Sequence, residues 1–165
     1  IGKMKEITMK IKSNSAWMMA GLFGVLSLGI FLTPAMSHHS FAMYDQTIDL
    51  AMTGVATRFV AQANHAELHF VRLGDDGKPM RDADGKYVSW GAEMGGAAAM
   101  ATRGVTAKSF APGTIFSMKI NPLRDGSNFG SSRGTIVKCP ASSPPAAGMH
   151  CDSLEGSTYH GGDAF

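Results

Sequence analysis

The residues whose types and positions best suit chemistry are the adjacent histidines His38 and His39. If cleavage makes His38 the first residue, its free amine and its ring Nδ1 can close a chelate ring on a metal ion. A second imidazole, from His39 or from His65, would complete a nitrogen-rich set of ligands. Such a set suits Cu(II) better than Mg²⁺ or Ca²⁺, which prefer oxygen. We therefore expect copper at His38, His39 and His65; the alternative is that these histidines are solvated and hold no metal.

This chelate requires cleavage, and residues 1–37 have the features of a secretory signal peptide. Four lysines precede residue 13, the stretch 16–32 carries no charge, and Ala35 and Ser37 are small residues suited to signal peptidase. We expect cleavage between Ser37 and His38 and a periplasmic or secreted protein that does not contact the membrane afterwards. An uncleaved anchor is the alternative, but a spanning helix needs about 20 apolar residues, and this stretch is shorter.

Removal of residues 1–37 changes the charge of the protein. Four of the 15 Lys and Arg residues and one of the 13 Asp and Glu residues leave with this segment, so 11 basic and 12 acidic side chains remain. The mature net charge is then −1, and no basic surface is expected for phosphates. We therefore do not expect nucleic acid to be a partner. The partner that we expect is a periplasmic protein.

Other polar residues are weaker candidates for a site. His69 lies four residues after His65, but on a strand this separation is roughly 13 Å, so the two rings reach one ion only if the strand bulges. Glu93 follows Trp90 and is a possible carboxylate neighbour of an aromatic ring. Arg124 and Asp125 belong to a turn, where Arg124 either binds an anion or pairs with Asp125 or Glu93. The sequence has no phosphate loop, GxSxG or HExxH motif, so classical hydrolase chemistry has no support. An oxidative enzyme that uses the same histidine chelate ranks below a binding protein, because the sequence shows no aromatic platform for a substrate.

The two cysteines, Cys139 and Cys151, suit an oxidising compartment and are expected to form a disulfide. Closing a loop of this size stabilises a protein by about 3 kcal/mol in the chain-entropy model. The alternative is a thiolate metal site that includes His150. A single pair of cysteines twelve residues apart matches no zinc or redox spacing, so the disulfide is favoured.

These residues are expected to be positioned by a small, mainly β domain. Alternating apolar residues and turn signals predict five strands, with a short helix over 95–108 between the third and the fourth. The predicted strands are 50–60, 65–73, 87–92, 114–120 and 133–139. This order is that of a five-stranded OB-like barrel, and an open β-sandwich is the alternative. We expect the barrel domain at 38–139 and a Pro/Gly/Ser-rich tail with the disulfide at 140–165.

Within the strands, the alternation predicts which side chains face the core. Val55 and Phe59 are expected to share one face of the first strand. In the second, Leu68 and Phe70 should point inward, and His65, Glu67 and His69 outward. In the fourth, Phe116, Met118 and Ile120 should face one way.

The start of the predicted mature chain, HHSFAMYD from His38 to Asp45, resembles that of a family of uncharacterised secreted bacterial proteins that begin HHSFA. The other matching motifs are Gly54-Val55, Asn64-His65, Trp90 to Glu93, Pro112-Gly113 and Pro122 to Gly126. The resemblance covers His38 to about Val137 and implies a secreted β-rich domain with histidine at its new terminus, but no activity. The family pattern has a proline between the residues that correspond to Asn64 and His65, and this chain lacks it.

The sequence thus yields two hypotheses about function. The first is a periplasmic copper-binding protein for copper storage, delivery or protection. The alternative is a metal-free accessory module that docks on a partner enzyme in the periplasm. Blocking the amine of His38 separates them, because only the metal site needs that amine.

Overall fold

The computed structural model describes residues 39–140 and 143–161. These residues contain six β-strands and two short α-helices. The predicted signal peptide and His38 lie outside these residues. In chain order the elements are α1 (His39–Ala42), β1 (Leu50–Ala61), β2 (Ala66–Arg72), β3 (Ser89–Glu93), α2 (Ala97–Thr102), β4 (Ile115–Pro122), β5 (Phe129–Lys138), a 3₁₀ turn (Cys151–Ser153) and β6 (Thr158–His160). None of the helices in this part of the chain is long and apolar enough to cross a membrane.

The strands close into a barrel. They follow the order β3-β2-β1-β4-β5-β6, and a parallel pairing between β3 and β5 joins the two sides of the sheet. Strands β1 to β5 therefore form a closed five-stranded barrel with α2 between β3 and β4, which confirms the predicted OB-like architecture and not the open sandwich. Closure gives the main-chain groups of β3 and β5 partners that an open edge would leave unpaired.

The barrel core contains the side chains that the alternation pattern placed inside. Leu68 and Phe70 of β2 and Phe116 of β4 are fully buried. Phe116 meets Phe70 and Phe110 edge to face, with ring centroids 5.2 Å and 5.7 Å apart, a geometry that adds to the stabilisation from burial. The predicted inward faces of β2 and β4 are thus confirmed.

The prediction that Val55 and Phe59 share one face of β1 is wrong, because the strand contains a bulge. Its register against β2 shifts between Ala56 and Arg58. Ala56 is buried before the shift and Phe59 packs on the same core after it, whereas Val55 is partly exposed. An extra residue reverses the alternation, so Val55 and Phe59 cannot share a face.

The boundaries of the other elements differ modestly from the prediction. Helix α2 covers six residues, and the chain turns at Gly104, which has a φ of 75°, a conformation that favours glycine. The fifth strand begins at Phe129 instead of residue 133. In the tail, Cys139 and Cys151 form the predicted disulfide. The 3₁₀ turn and β6, which pairs with β5, were not predicted.

Candidate functional site

Two carboxylates and two histidines lie together on the outer face of β2 and β3. Glu67 and His69 alternate with the buried residues of β2, and His65 directly precedes this strand. Glu93, the last residue of β3, is the register partner of Glu67. Because side chains directly opposite one another in a sheet are neighbours, the pairing of β2 with β3 brings these groups to one surface.

The segment after α1 is fixed to the barrel beside this surface. Tyr44 forms an isolated bridge with Leu123. The amide of Asp45 donates to the Pro122 carbonyl at 2.8 Å, and the amide of Arg124 donates to the Met43 carbonyl at 2.9 Å. The Tyr44 side chain is 2% exposed, and its hydroxyl donates to Glu93 Oε2 at 3.0 Å. The start of the described chain is thus joined to the end of β3.

Glu93 also holds the ring of His65. Its Oε1 lies 3.1 Å from His65 Nδ1, and the two side chains are 22% and 49% exposed. The carboxylate thus faces Nδ1 at contact distance, and Nε2 is the other nitrogen of a half-exposed ring. A carboxylate beside the nitrogen that does not bind the ion is a common arrangement around a histidine metal ligand.

The environment of Tyr44 keeps its hydroxyl protonated. Burial is the main reason that the pKa of Tyr44 lies well above its ordinary value, followed by its hydrogen bond to Glu93 and the negative charges of Glu93 and Glu67. A tyrosinate would face both carboxylates in a partly desolvated place. Tyr44 is therefore a hydrogen-bond donor to Glu93 at all ordinary pH values.

His69 is bonded differently from His65. Its Nε2 lies 2.8 Å from Glu67 Oε2 and 3.3 Å from an Arg58 guanidinium nitrogen. One ring nitrogen cannot donate to the carboxylate and accept from the guanidinium at once, and we assign the proton to the shorter contact, with Glu67. The remaining nitrogen, Nδ1, lies over Gly91 of the neighbouring strand, since a Cβ there would be 3.4 Å from it. His69 therefore presents its remaining nitrogen to the sheet, whereas the ring of His65 is half-exposed.

The other predicted site residues lie in different surroundings. His38 is outside the described residues, and His39 is the first residue of α1. Arg124 and Asp125 are exposed, and no ion pair joins Arg124 to Asp125 or Glu93 in the described part of the chain. Hydrogen bonds from the Ser127 hydroxyl and amide lower the pKa of Asp125, which marks a turn.

No three His, Cys, Asp or Glu side chains among residues 41–140 and 143–161 lie close enough together to hold a metal ion. The pair of His65 and Glu93 is thus an incomplete set of ligands. A metal bound at His65 needs further donors from other residues or from the solvent.

The family model of DUF6152, described as a family of unknown function, matches residues 26–132. The chain belongs to the DUF6152 family. No curated protein and no solved structure matches it. Tyr44, His65, Glu67, His69 and Glu93 all lie within the DUF6152 match, whereas the disulfide and the tail lie beyond its end.

The sequence predicted His65, Glu93 and His69 as candidates but missed Tyr44. The available signal was its place in the HHSFAMYD motif, six residues after His38. A tyrosine there suggested no chemistry by itself, because its partner Glu93 is 49 residues away and meets it only through the pairing of the chain with residues 122–124.

Proposed function

We propose that the mature DUF6152 protein binds copper in the periplasm, with His38 as the chelating residue and His65 as a further ligand. The amine and Nδ1 of His38 would supply two nitrogens, and Nε2 of His65 the third, with His39 as the alternative donor. The observation that carries this proposal is the shared partner Glu93, which accepts a hydrogen bond from the Tyr44 hydroxyl and lies 3.1 Å from His65 Nδ1. It ties the segment that follows the two histidines to the ring of His65.

The length of the connection supports this arrangement. Helix α1 contains four residues and is therefore about 6 Å long. His39 thus lies within about two helical turns of Tyr44, whose hydroxyl bonds Glu93. Few residues of the chain therefore separate the two histidines from the tyrosine that bonds Glu93.

The surrounding charge also supports a bound cation. Glu93 and Glu67 place two carboxylates on this face, and Glu93 orients His65 through Nδ1. A carboxylate behind a histidine ligand raises the basicity of the ring and fixes its direction. Two carboxylates near neutral nitrogen ligands favour a divalent cation over an anion at this surface.

Storage, delivery or protection fits better than electron transfer. A blue-copper centre uses a cysteine thiolate, and both cysteines of this chain are bonded to each other. The outer-face location of the half-exposed His65 ring suits exchange of the ion with a partner.

The test is a Cu(II) titration of protein that begins at His38, compared with a sample that carries one additional glycine before it. Calorimetry and electron paramagnetic resonance should show one tightly bound equivalent with an axial, nitrogen-rich spectrum in the native form. The extended form should lose it, because its terminal amine no longer belongs to a histidine. Equal, weak binding by both forms would overturn the proposal.

Two variants determine which other nitrogen takes part. His65→Gln should weaken Cu(II) binding by at least about tenfold, because it removes the ring nitrogen that is proposed as the third ligand. His69→Gln, in the strand that follows His65, is the matched control, and it should bind as the native form does. If His39→Gln loses copper and His65→Gln does not, the third ligand is His39.

A second candidate function rests on the exposed apolar residues of the same segment. Phe41, Met43 and Ile48 are 58%, 49% and 46% exposed. We propose docking on a periplasmic partner enzyme as the alternative for a protein that binds no metal. In a pull-down with that enzyme, binding would be unchanged by the additional glycine and lost in a Phe41→Ser/Met43→Ser double variant.

A further inference from the structure

A cavity of about 200 Å³ lies between the barrel and the C-terminal tail, and it shares no residue with the copper proposal. Its barrel wall comes from residues 51–53 of β1, from Arg72 at the end of β2 and from residues 73–75 and 77 that follow this strand. Its other wall comes from residues 145, 146 and 148–150. The barrel wall lies inside the DUF6152 match and the tail wall outside it. One wall of the cavity thus lies within the matched part of the chain and the other lies beyond its end.

The tail wall is fastened by a buried chain of hydrogen bonds. Ser117 Oγ accepts the amide of Cys151 at 2.9 Å and lies 2.7 Å from Thr53 Oγ1, which is 2.9 Å from His150 Nδ1. Among the described residues, Ser117 has no acceptor other than Thr53 for its proton, so Ser117 donates to Thr53 and Thr53 donates to His150. Cys151, next to His150, is bonded to Cys139 at the end of the barrel. The cavity is therefore a built feature with two fixed walls.

The lining carries a cation that no described side chain neutralises. Arg72 is partly buried and lines the cavity, and within residues 41–140 and 143–161 it has no ion pair or side-chain hydrogen bond. Thr53, more than nine-tenths buried, and His150 add polar groups to the lining. Asp75 is exposed and also lines it, so a multiply charged anion would be repelled.

We propose that this cavity binds a small organic monocarboxylate, held by Arg72. A guanidinium offers a planar pair of donors that matches a carboxylate. The volume is below the range of about 300–1,000 Å³ for drug-sized ligands, so the ligand is a compact molecule. A single negative charge satisfies Arg72 with the least repulsion from Asp75.

Calorimetric titration of the mature protein with sodium butanoate and sodium benzoate tests the proposal, with sodium chloride at equal ionic strength and inorganic phosphate as comparisons. Saturable, one-to-one binding of a carboxylate is expected. Arg72→Gln should weaken it about tenfold or more, because a charge-assisted pair is lost. Arg103→Gln is the matched control, since Arg103 lines a separate cavity, and it should leave the affinity unchanged.

A variant that fills the cavity provides an independent test should Arg72→Gln not fold. Ala51 lies on the same face of β1 as Thr53 and lines the cavity, so Ala51→Leu should abolish carboxylate binding while the circular dichroism spectrum is retained. The proposal is overturned if no carboxylate binds more than chloride does, if phosphate alone binds, or if Arg72→Gln and Ala51→Leu bind as the native protein does. If Arg103→Gln weakens carboxylate binding as much as Arg72→Gln does, the ligand is assigned to the other cavity. That result would overturn the proposal as well. None of these outcomes depends on copper.

Discussion

Glu93 connects the candidate site to the first residues of the described chain. Its Oε2 accepts a hydrogen bond from Tyr44, and its Oε1 lies 3.1 Å from His65 Nδ1. It lies opposite Glu67 in the β2–β3 register, where like charges destabilise a sheet. Each carboxylate therefore has its own donors, since Glu67 bonds His69. The contacts that offset this repulsion also bring the two histidines beside the carboxylates.

Replacement of Tyr44 by phenylalanine tests this arrangement. Glu93 would lose one donor and remain opposite Glu67, so we expect the free energy of unfolding to fall by about 1–2 kcal/mol, measured by urea denaturation at neutral pH. Tyr87→Phe is the control, since Tyr87 is half-exposed and its change should stay within about 0.5 kcal/mol.

The native protein should also lose stability in alkali through Tyr44. Its pKa in the folded state lies above the ordinary value of 10.0, so the unfolded chain releases this proton first. The stabilisation that protonated Tyr44 contributes to the folded state is complete below pH 10 and declines as the pH rises above that value. Tyr44→Phe should reduce this alkaline slope and Tyr87→Phe should not; equal slopes in the two variants would contradict the role given to Tyr44.

At the scale of elements, alternation in the sequence predicts strands well where one face is continuously buried. Strands β2 and β4 are of this kind, with Leu68, Phe70, Phe116, Met118 and Ile120 all inside. The bulge in β1 was not predictable, because it is defined by pairing with β2 and not by residue type. Strand β6 has three residues and exists because the edge of β5 is available, so its own composition gave no signal.

The candidate site shows the same limit. His65 and Glu93 were each identifiable by residue type, but their contact depends on the β2–β3 pairing. The hydrogen bond from Tyr44 to Glu93 depends on a second pairing, which joins the chain around Tyr44 to residues 122–124. Composition predicts which groups can act, and the register of the barrel decides which of them meet.

Strand β6 should loosen in mild acid because of His160. The ring of His160 packs edge to face on Phe110 with centroids 5.2 Å apart. Burial lowers the pKa of His160, the positive charge of Lys138 lowers it further, and a backbone hydrogen bond with Gly104 partly opposes them. The folded state thus favours the neutral ring. The stabilisation that the neutral His160 ring contributes to the folded state is complete above pH 6.5, the ordinary pKa of histidine. This stabilisation is lost as the pH falls below that value.

Amide hydrogen exchange measures this loss directly. After correction for the intrinsic pH dependence, protection of residues 158–160 should fall when the pH is lowered from 7 to 5. The amides of β2 should keep their protection. In His160→Gln, which cannot gain a proton, protection of β6 should not vary with pH. An equal acid response in that variant would show that another group controls β6.

For the whole molecule, the decisive contact is the parallel pairing of β3 with β5 that closes the barrel. Its register joins Gly91 to Phe129 and Ala92 to Gly130. A Cβ at Gly130 would lie 2.6 Å from the carbonyl oxygen of Asn121 in β4. The backbones of β4 and β5 thus approach closely where β5 meets β3, and a side chain at position 130 would force β5 away. Glu93, which holds His65, belongs to the same pairing.

Gly130→Ala should therefore destabilise the entire barrel, by about 1–3 kcal/mol as for other overpacked sites. Gly95→Ala is the matched control, because a Cβ there meets only Met100 at an ordinary 3.6 Å. Urea unfolding should be followed by far-ultraviolet circular dichroism and by tryptophan fluorescence, which after cleavage reports on Trp90 of β3. Coincident transitions, both shifted in Gly130→Ala, would show that closure and core form one cooperative unit. A fluorescence transition that separates from the circular dichroism transition would mean instead that β3 and the His65 site can open while the rest of the barrel persists.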